Sequence, residues 1–495
     1  MLRLKTGQGI SLKNKMVGQV KNQNVVNNNT YILLALAASL PVIMPNIQYF
    51  DDLARTVAGY YAWSSDGRPI VDIFYNFVSG GDRVVDLYPY SQIFAYILLG
   101  WCCYSLAKVF NTESKYGIIM TAPIIFSPML LGNMLFRYDA ITMALSISMC
   151  VFAAGLDATK PKKMVILSTI LIGASMLTYQ AALSVYIVIC IFAYIQKIYE
   201  GIPFKKILQI MLLNSISTAL GFLIYKIVTM SFVTMSKTAL ARSSLIKFNN
   251  DTYNHLLDAS AKSLNMMFGT LDKLIILAII ASILIGIIFK LKNSSSIKRW
   301  VLESLLVAVL IASAIVCSFV MVAVASMPAI YPRSFMSFGF LIFGLLWIVY
   351  VTGLKKVSLT LSIIVVVSFI SVNSLSMKAV TTIENVQSQA AKSIVSHLNA
   401  VDEKFTDVVV SSDMKAPQDV MEIYKKHDFI IRIIWMHFNN QFASYWLTYN
   451  GYPIRKAPSK IVKDVNDNKD AWSMISSNTS YSLYRYKQTA VVEFK

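Results

Sequence analysis

Apolar side chains fill this chain in long unbroken runs from residue 31 to residue 376, separated by short polar or basic stretches. Each run is close to the ~20 residues that cross a bilayer as a helix. They fall at roughly 31–48, 90–110, 117–135, 138–157, 164–179, 181–197, 207–233, 271–290, 300–325, 336–353 and 358–376, which predicts about eleven transmembrane helices. Ahead of them, residues 1–30 carry Arg3, Lys5, Lys13, Lys15 and Lys21 and little hydrophobicity, as expected of a cytoplasmic tail. Behind them the pattern changes. Short β-branched runs at 407–411, 429–434 and 490–494, with a helix-like 419–426, predict a small α/β domain over 377–495.

Composition agrees with the pattern. The 495 residues are 56% hydrophobic and 14% charged, and the mean hydropathy of +0.57 excludes an ordinary soluble domain. The fold class expected is a polytopic α-helical membrane protein. A net charge of +19 could point to nucleic acid, but the lysines cluster in every second loop: Lys108 and Lys115, then Lys160, Lys162 and Lys163, then Lys197, Lys205 and Lys206, then Lys290, Lys292, Lys298 and Arg299, then Lys355 and Lys356. That alternation is a topology signal, with the N-terminus cytoplasmic and the C-terminal domain outside. All five cysteines lie in apolar segments without metal or disulfide spacing, and the first apolar run reads as a retained helix and not as a cleaved signal peptide.

The outward loops carry the candidate chemistry. The first, 49–89, opens YFDDLARTVAGYYAWSSDGRP. As a helix it puts Asp52, Arg55 and Gly59 on one face and Leu53 and Val57 on the other, so it is expected to lie in the interface with its apolar face in lipid. Asp51 can instead cap this helix and pair with Arg55. A second cluster, NMLFRYDA, sets Arg137 and Asp139 in a turn between two spans, where charge is costly unless paired or used; Asp139 can equally cap the next span. Thr178-Tyr179-Gln180 offers uncharged donors and acceptors suited to sugar hydroxyls, or is an ordinary helix junction. Arg333 stands alone in a fourth turn, where it can also snorkel to headgroups. Together these loops provide what an enzyme needs to hold a lipid-borne phosphate while a carboxylate works on its headgroup.

The string YFDDLARTVAGYYAWSSDGRPI, followed by FRYDAITMAL and then TYQAAL, resembles the bacterial and phage-borne O-antigen glucosyltransferases that convert serotype. The family pattern of DD-x-x-R, W-x-x-x-G-R-P and R-x-D is present in order, and the resemblance is strongest over residues 30–190. It implies the GT-C fold: a bundle over 31–376 with an active first outer loop, in the bacterial inner membrane. It also implies undecaprenyl phosphate glucose as donor on the periplasmic face, and lipid-linked O-antigen as acceptor, with no cofactor or metal. By the same resemblance Asp51 and Asp52 are the acidic pair. One of them is the general base, and Asp52 is favoured because Asp51 is better placed as a cap. Arg55, Arg68, Arg137 and Arg333 would bind the donor phosphate, and Asp139, Trp63, Tyr179 and Gln180 would face sugar or acceptor. The rival readings are an O-antigen polymerase or ligase, and a transporter of lipid-linked sugar, for which Pro123, Pro128 and Lys226 in or near spans would count.

Overall fold

The computed structural model describes residues 27–112, 115–247, 251–292 and 296–495. The expected cytoplasmic tail therefore lies, through residue 26, outside the described residues. The chain is a helical bundle joined to a small C-terminal sheet. Each expected apolar run coincides with a helical element, yet among the described residues seven helices are long and apolar enough to cross a membrane, or up to nine if each of two bent pairs is one span. The pairs are 116–134, bent by 60° after Ile125, and 252–289, bent by 93° after Phe268. Ser127-Pro128 makes the first bend, because Pro128 opens the second helix without an amide to continue the first. Asn28–Ile43 and Ala140–Ala154 are apolar but shorter.

Burial sorts these helices. Phe338–Val351 is apolar all round and buried nearly throughout, the mark of a helix at the centre of a bundle. Phe204–Phe232 and Ile297–Cys317 lie at the periphery, with only 22% and 17% of their apolar windows buried in protein. Leu208, Leu212, Ile216, Leu220 and Leu223 repeat at helical spacing along the exposed side of the first. Continuous apolar surface on this scale requires lipid as its solvent. Phe204–Phe232 is held to Pro161–Thr178 through close backbone approach: a Cβ on Gly221 would come within 2.8 Å of Ile172.

The last helix of the bundle, Lys355–Asn399, has 45 residues and so runs for about 67 Å, roughly twice a bilayer core. The expected boundary at 376/377 falls inside it. Its first half packs in the bundle, and its second half contributes Ala391, Ile394, Val395 and Leu398 to the core of the C-terminal part. Five strands follow: β1 (Asp407–Ser412), β2 (Arg455–Lys456), β3 (Ser473–Ser477), β4 (Tyr481–Tyr486) and β5 (Thr489–Phe494), in the order β2-β1-β5-β4-β3. β1 is parallel to both its neighbours, and β3, β4 and β5 form an antiparallel meander. The apolar run 429–434 is not a strand as expected. It coils in tight turns, Ile430 N to His427 O and Ile433 N to Ile430 O, each 2.9 Å. Phe429, Ile430, Ile433 and Ile434 enter the bundle core, while Ile431 stays exposed.

Candidate active site

The loop 49–89 folds back onto the protein, and the apolar face expected to lie in lipid packs on the C-terminal part. The Asp51–Ala58 helix begins after Phe50, whose φ of 46° is strained for a bulky side chain. The C-terminal part holds it there. The Tyr49 hydroxyl donates to the Ile433 carbonyl, and the Phe50 ring sits 4.4 Å from Trp435 and 5.4 Å from His437 between ring centroids. Leu53, expected in lipid, is fully buried in the C-terminal core beside Trp446 and Leu447. The two acids consequently part company. Asp51 is the first helical residue, makes no capping bond, and is exposed. Asp52 has no exposed surface; one carboxylate oxygen accepts from the Arg137 amide at 2.8 Å and the other has no hydrogen bond. Burial holds the Asp52 carboxyl well above the ordinary carboxylate range, opposed by that amide bond.

Asp139 is the hub of the second cluster. Its carboxylate accepts from Trp63 Nε1 at 2.8 Å, from Arg68 at 2.9 Å and from Arg55 at 3.5 Å. It stands at the N-cap position of Ala140–Ala154, as expected, but its side chain is spent on these donors and makes no capping bond. Arg55 therefore pairs with Asp139 and not with Asp51, its guanidinium 4.2 Å from the Trp63 ring centroid. Arg68 has a second carboxylate, Asp66, at 3.0 Å. Trp63 is fully buried behind this cluster, stacked on Tyr75 at 4.8 Å.

The Gly-Arg-Pro turn is pinned from the third cluster. Gln180 Nε2 donates to the carbonyls of Asp66 (3.1 Å) and Gly67 (3.0 Å), and Tyr225 Oη lies 3.1 Å from it. Gly67 has φ +75°, and a Cβ there would come within 2.7 Å of Tyr225 Oη, so the turn needs glycine twice over. Asp72, from the helix that Pro69 opens, accepts from the amides of Trp63 (3.2 Å) and Ser64 (2.6 Å) and closes the loop from the other side.

These elements enclose a cavity of about 310 Å³. Of the expected residues, Asp51, Arg55, Arg68, Asp139, Tyr179, Gln180 and Arg333 line it, while Asp52, Trp63 and Arg137 do not. Arg137 is turned away to Asp86 at 2.9 Å and the Tyr88 ring at 4.1 Å, where it ties the loop's far end to the bundle. Two further cations stand on the cavity wall: Arg242, which no motif marks, and Lys226, which the sequence offers only toward the transporter reading. Arg242 extends from Lys237–Ser243, a helix capped by Ser236, whose own amide donates to Ser65 O at 2.8 Å. Lys226 belongs to Phe204–Phe232 and reaches the cavity. Among the described residues, Lys226, Arg242 and Arg333 have no carboxylate within ion-pair distance. Phe222, Leu245, Phe319, Met321 and Val324 give the same cavity an apolar lining. It can thus take an anion with a hydrocarbon tail beside an exposed carboxylate.

The fold and the cavity define a multispan membrane protein with a polar, cation-lined site between the loop that follows the first helix and the bundle. The chain belongs to the glucosyl transferase GtrII family, whose model matches residues 40–344. It is similar, at 23% identity over 242 residues, to an uncharacterized 55.3 kDa protein in the gtrB 5′ region of Salmonella phage P22. That alignment covers 49% of this chain and 50% of the relative, so the chain spans about half the length of the curated protein it matches. No solved structure matches it.

Proposed function

We propose that the protein moves glucose from undecaprenyl phosphate glucose to a sugar hydroxyl of lipid-linked O-antigen. The reaction takes place on the periplasmic face of the bacterial inner membrane, in a GT-C type bundle, and converts serotype. The observation that carries this reading is the position of Asp51: an exposed carboxylate on a cavity that also holds three cations without acid partners among the described residues and an apolar lining, all within the family match. Asp51, and not Asp52, is then the base. It takes the proton of the acceptor hydroxyl as that oxygen attacks the anomeric carbon. The bond from that carbon to the phosphate oxygen breaks, and undecaprenyl phosphate leaves with the electron pair, inverting the configuration.

Arg333, Arg242 and Lys226 neutralise the developing phosphate dianion, joined by Arg68. Tyr179 presents its ring and hydroxyl to the transferred sugar, and Gln180 holds the Gly67 turn. Asp139 keeps Arg55 and Arg68 in place. The step as written needs nothing beyond donor and acceptor. The test is transfer of labelled glucose from undecaprenyl phosphate glucose into O-antigen in membranes containing the wild-type chain or Asp51→Asn. Transfer by wild type, reduced at least 10²-fold or so in the variant, is the expected result. Equal transfer by both would remove Asp51 from the chemistry, and no transfer by a well-expressed wild type would remove the donor.

A further inference from the structure

A second cavity, of about 280 Å³, opens beside the first. The two share Asp51, Phe136, Arg242, Tyr331 and Arg333, so the exposed carboxylate stands where they meet. The rest of the second cavity differs in origin. Arg432, Trp435 and Gln441 form its outer wall from the C-terminal part, beyond the stretch that the family model matches. We propose that this second cavity is the acceptor subsite: a saccharide ring of the acceptor lies against Trp435, its hydroxyls bonded by Gln441 and Arg432, with one hydroxyl directed to Asp51. The assignment rests on the glucosyl-transfer reading above and gives the C-terminal part a role in it.

Three features argue for a saccharide. Trp435 keeps 38% of its surface exposed although it is backed by Phe50 at 4.4 Å and faces Tyr331 at 6.5 Å, nearly parallel. A half-open aromatic braced on its rear side offers the flat apolar face that the C–H side of a sugar ring covers. Arg432 and Gln441 are exposed, and among the described residues their side chains have no hydrogen-bond or ion-pair partner, so their donors are available. Finally, a displacement with inversion brings nucleophile and leaving group to opposite sides of the reacting carbon. A base shared by two adjoining cavities, one with the apolar lining and Lys226, meets that requirement.

The test uses full-length protein in lipid nanodiscs and fluorescein-labelled, delipidated O-polysaccharide fragments drawn from a panel of O-antigen types. At least one type is expected to bind wild type. Its affinity should fall on the order of tenfold in Trp435→Ala and in Gln441→Ala, recover in Trp435→Phe, and stay unchanged in Tyr449→Ala, an exposed ring outside the cavity. In transfer assays the same variants should raise the acceptor KM and leave the donor KM alone. Binding that ignores Trp435→Ala and Gln441→Ala, or no binding by any type, overturns the subsite. Binding that depends on Trp435, without transfer from undecaprenyl phosphate glucose, would overturn the donor and leave the subsite standing.

Discussion

Arg55 and Arg68, from the first outer loop, share one buried carboxylate, whereas Lys226, Arg242 and Arg333, from later elements, face the same cavity without one among the described residues. The first pair is a structural device. Asp139 takes three donors, Trp63 covers it, and the loop is fixed before any substrate arrives. The second group keeps its charge for a ligand, because nothing in the protein has neutralised it. Conserving charge in this way is costly in the absence of ligand, and it is tolerated where a bound phosphate restores balance.

The comparison breaks most clearly at Asp139. Asp139→Asn leaves Arg55, which is 4% exposed, as an uncompensated buried cation. The expected loss is about 3–5 kcal/mol of stability, read as a lowered unfolding midpoint in nanodiscs, and transfer falls with it. Arg333→Ala is the counterpart. Transfer should drop by about 10²–10³-fold while the unfolding midpoint stays near wild type, because no internal ion pair is lost. If Arg333→Ala lowers the midpoint as far as Asp139→Asn does, the two groups of cations are not different in kind.

Much of this arrangement was legible. The apolar runs located the helices, and the spacings around Trp63, Gly67, Arg68 and Asp139 marked residues that converge in space. What could not be read was which side of each motif faces inward. Asp51 and Asp52 are adjacent, about 100° apart on a helix, and their fates depend on Leu53 being covered by Trp446 and Leu447 from the far end of the chain. Arg137 and Arg68 look alike in sequence; only the position of Asp86 removes the first from the cavity. Arg432 and Trp435 belong to no motif, and the β-branched run 429–434, which contains Arg432 and ends just before Trp435, has the composition of a strand. Tertiary contact, not propensity, turned it into the coil that clasps Tyr49.

The smallest expected effect is also the one that separates the paired acids. Asp52 is held above its ordinary carboxylate value by burial, so its ionised form is disfavoured in the folded protein. A group of this sign contributes its stability below its unfolded value, near 3.8, and loses it as pH rises through the folded value. Asn carries no such charge and can accept the Arg137 amide bond through its own carbonyl. Asp52→Asn should therefore unfold at nearly the wild-type temperature near pH 4 and gain on wild type as pH rises, with transfer kept within about threefold, since the substitution copies the form that burial already favours. Unfolding midpoints across pH, measured beside transfer rates at neutral pH, check both halves. If Asp52→Asn instead abolishes transfer as Asp51→Asn does, the buried carboxylate is the one that ionises in the reaction, and the cavity must open around it when substrate binds.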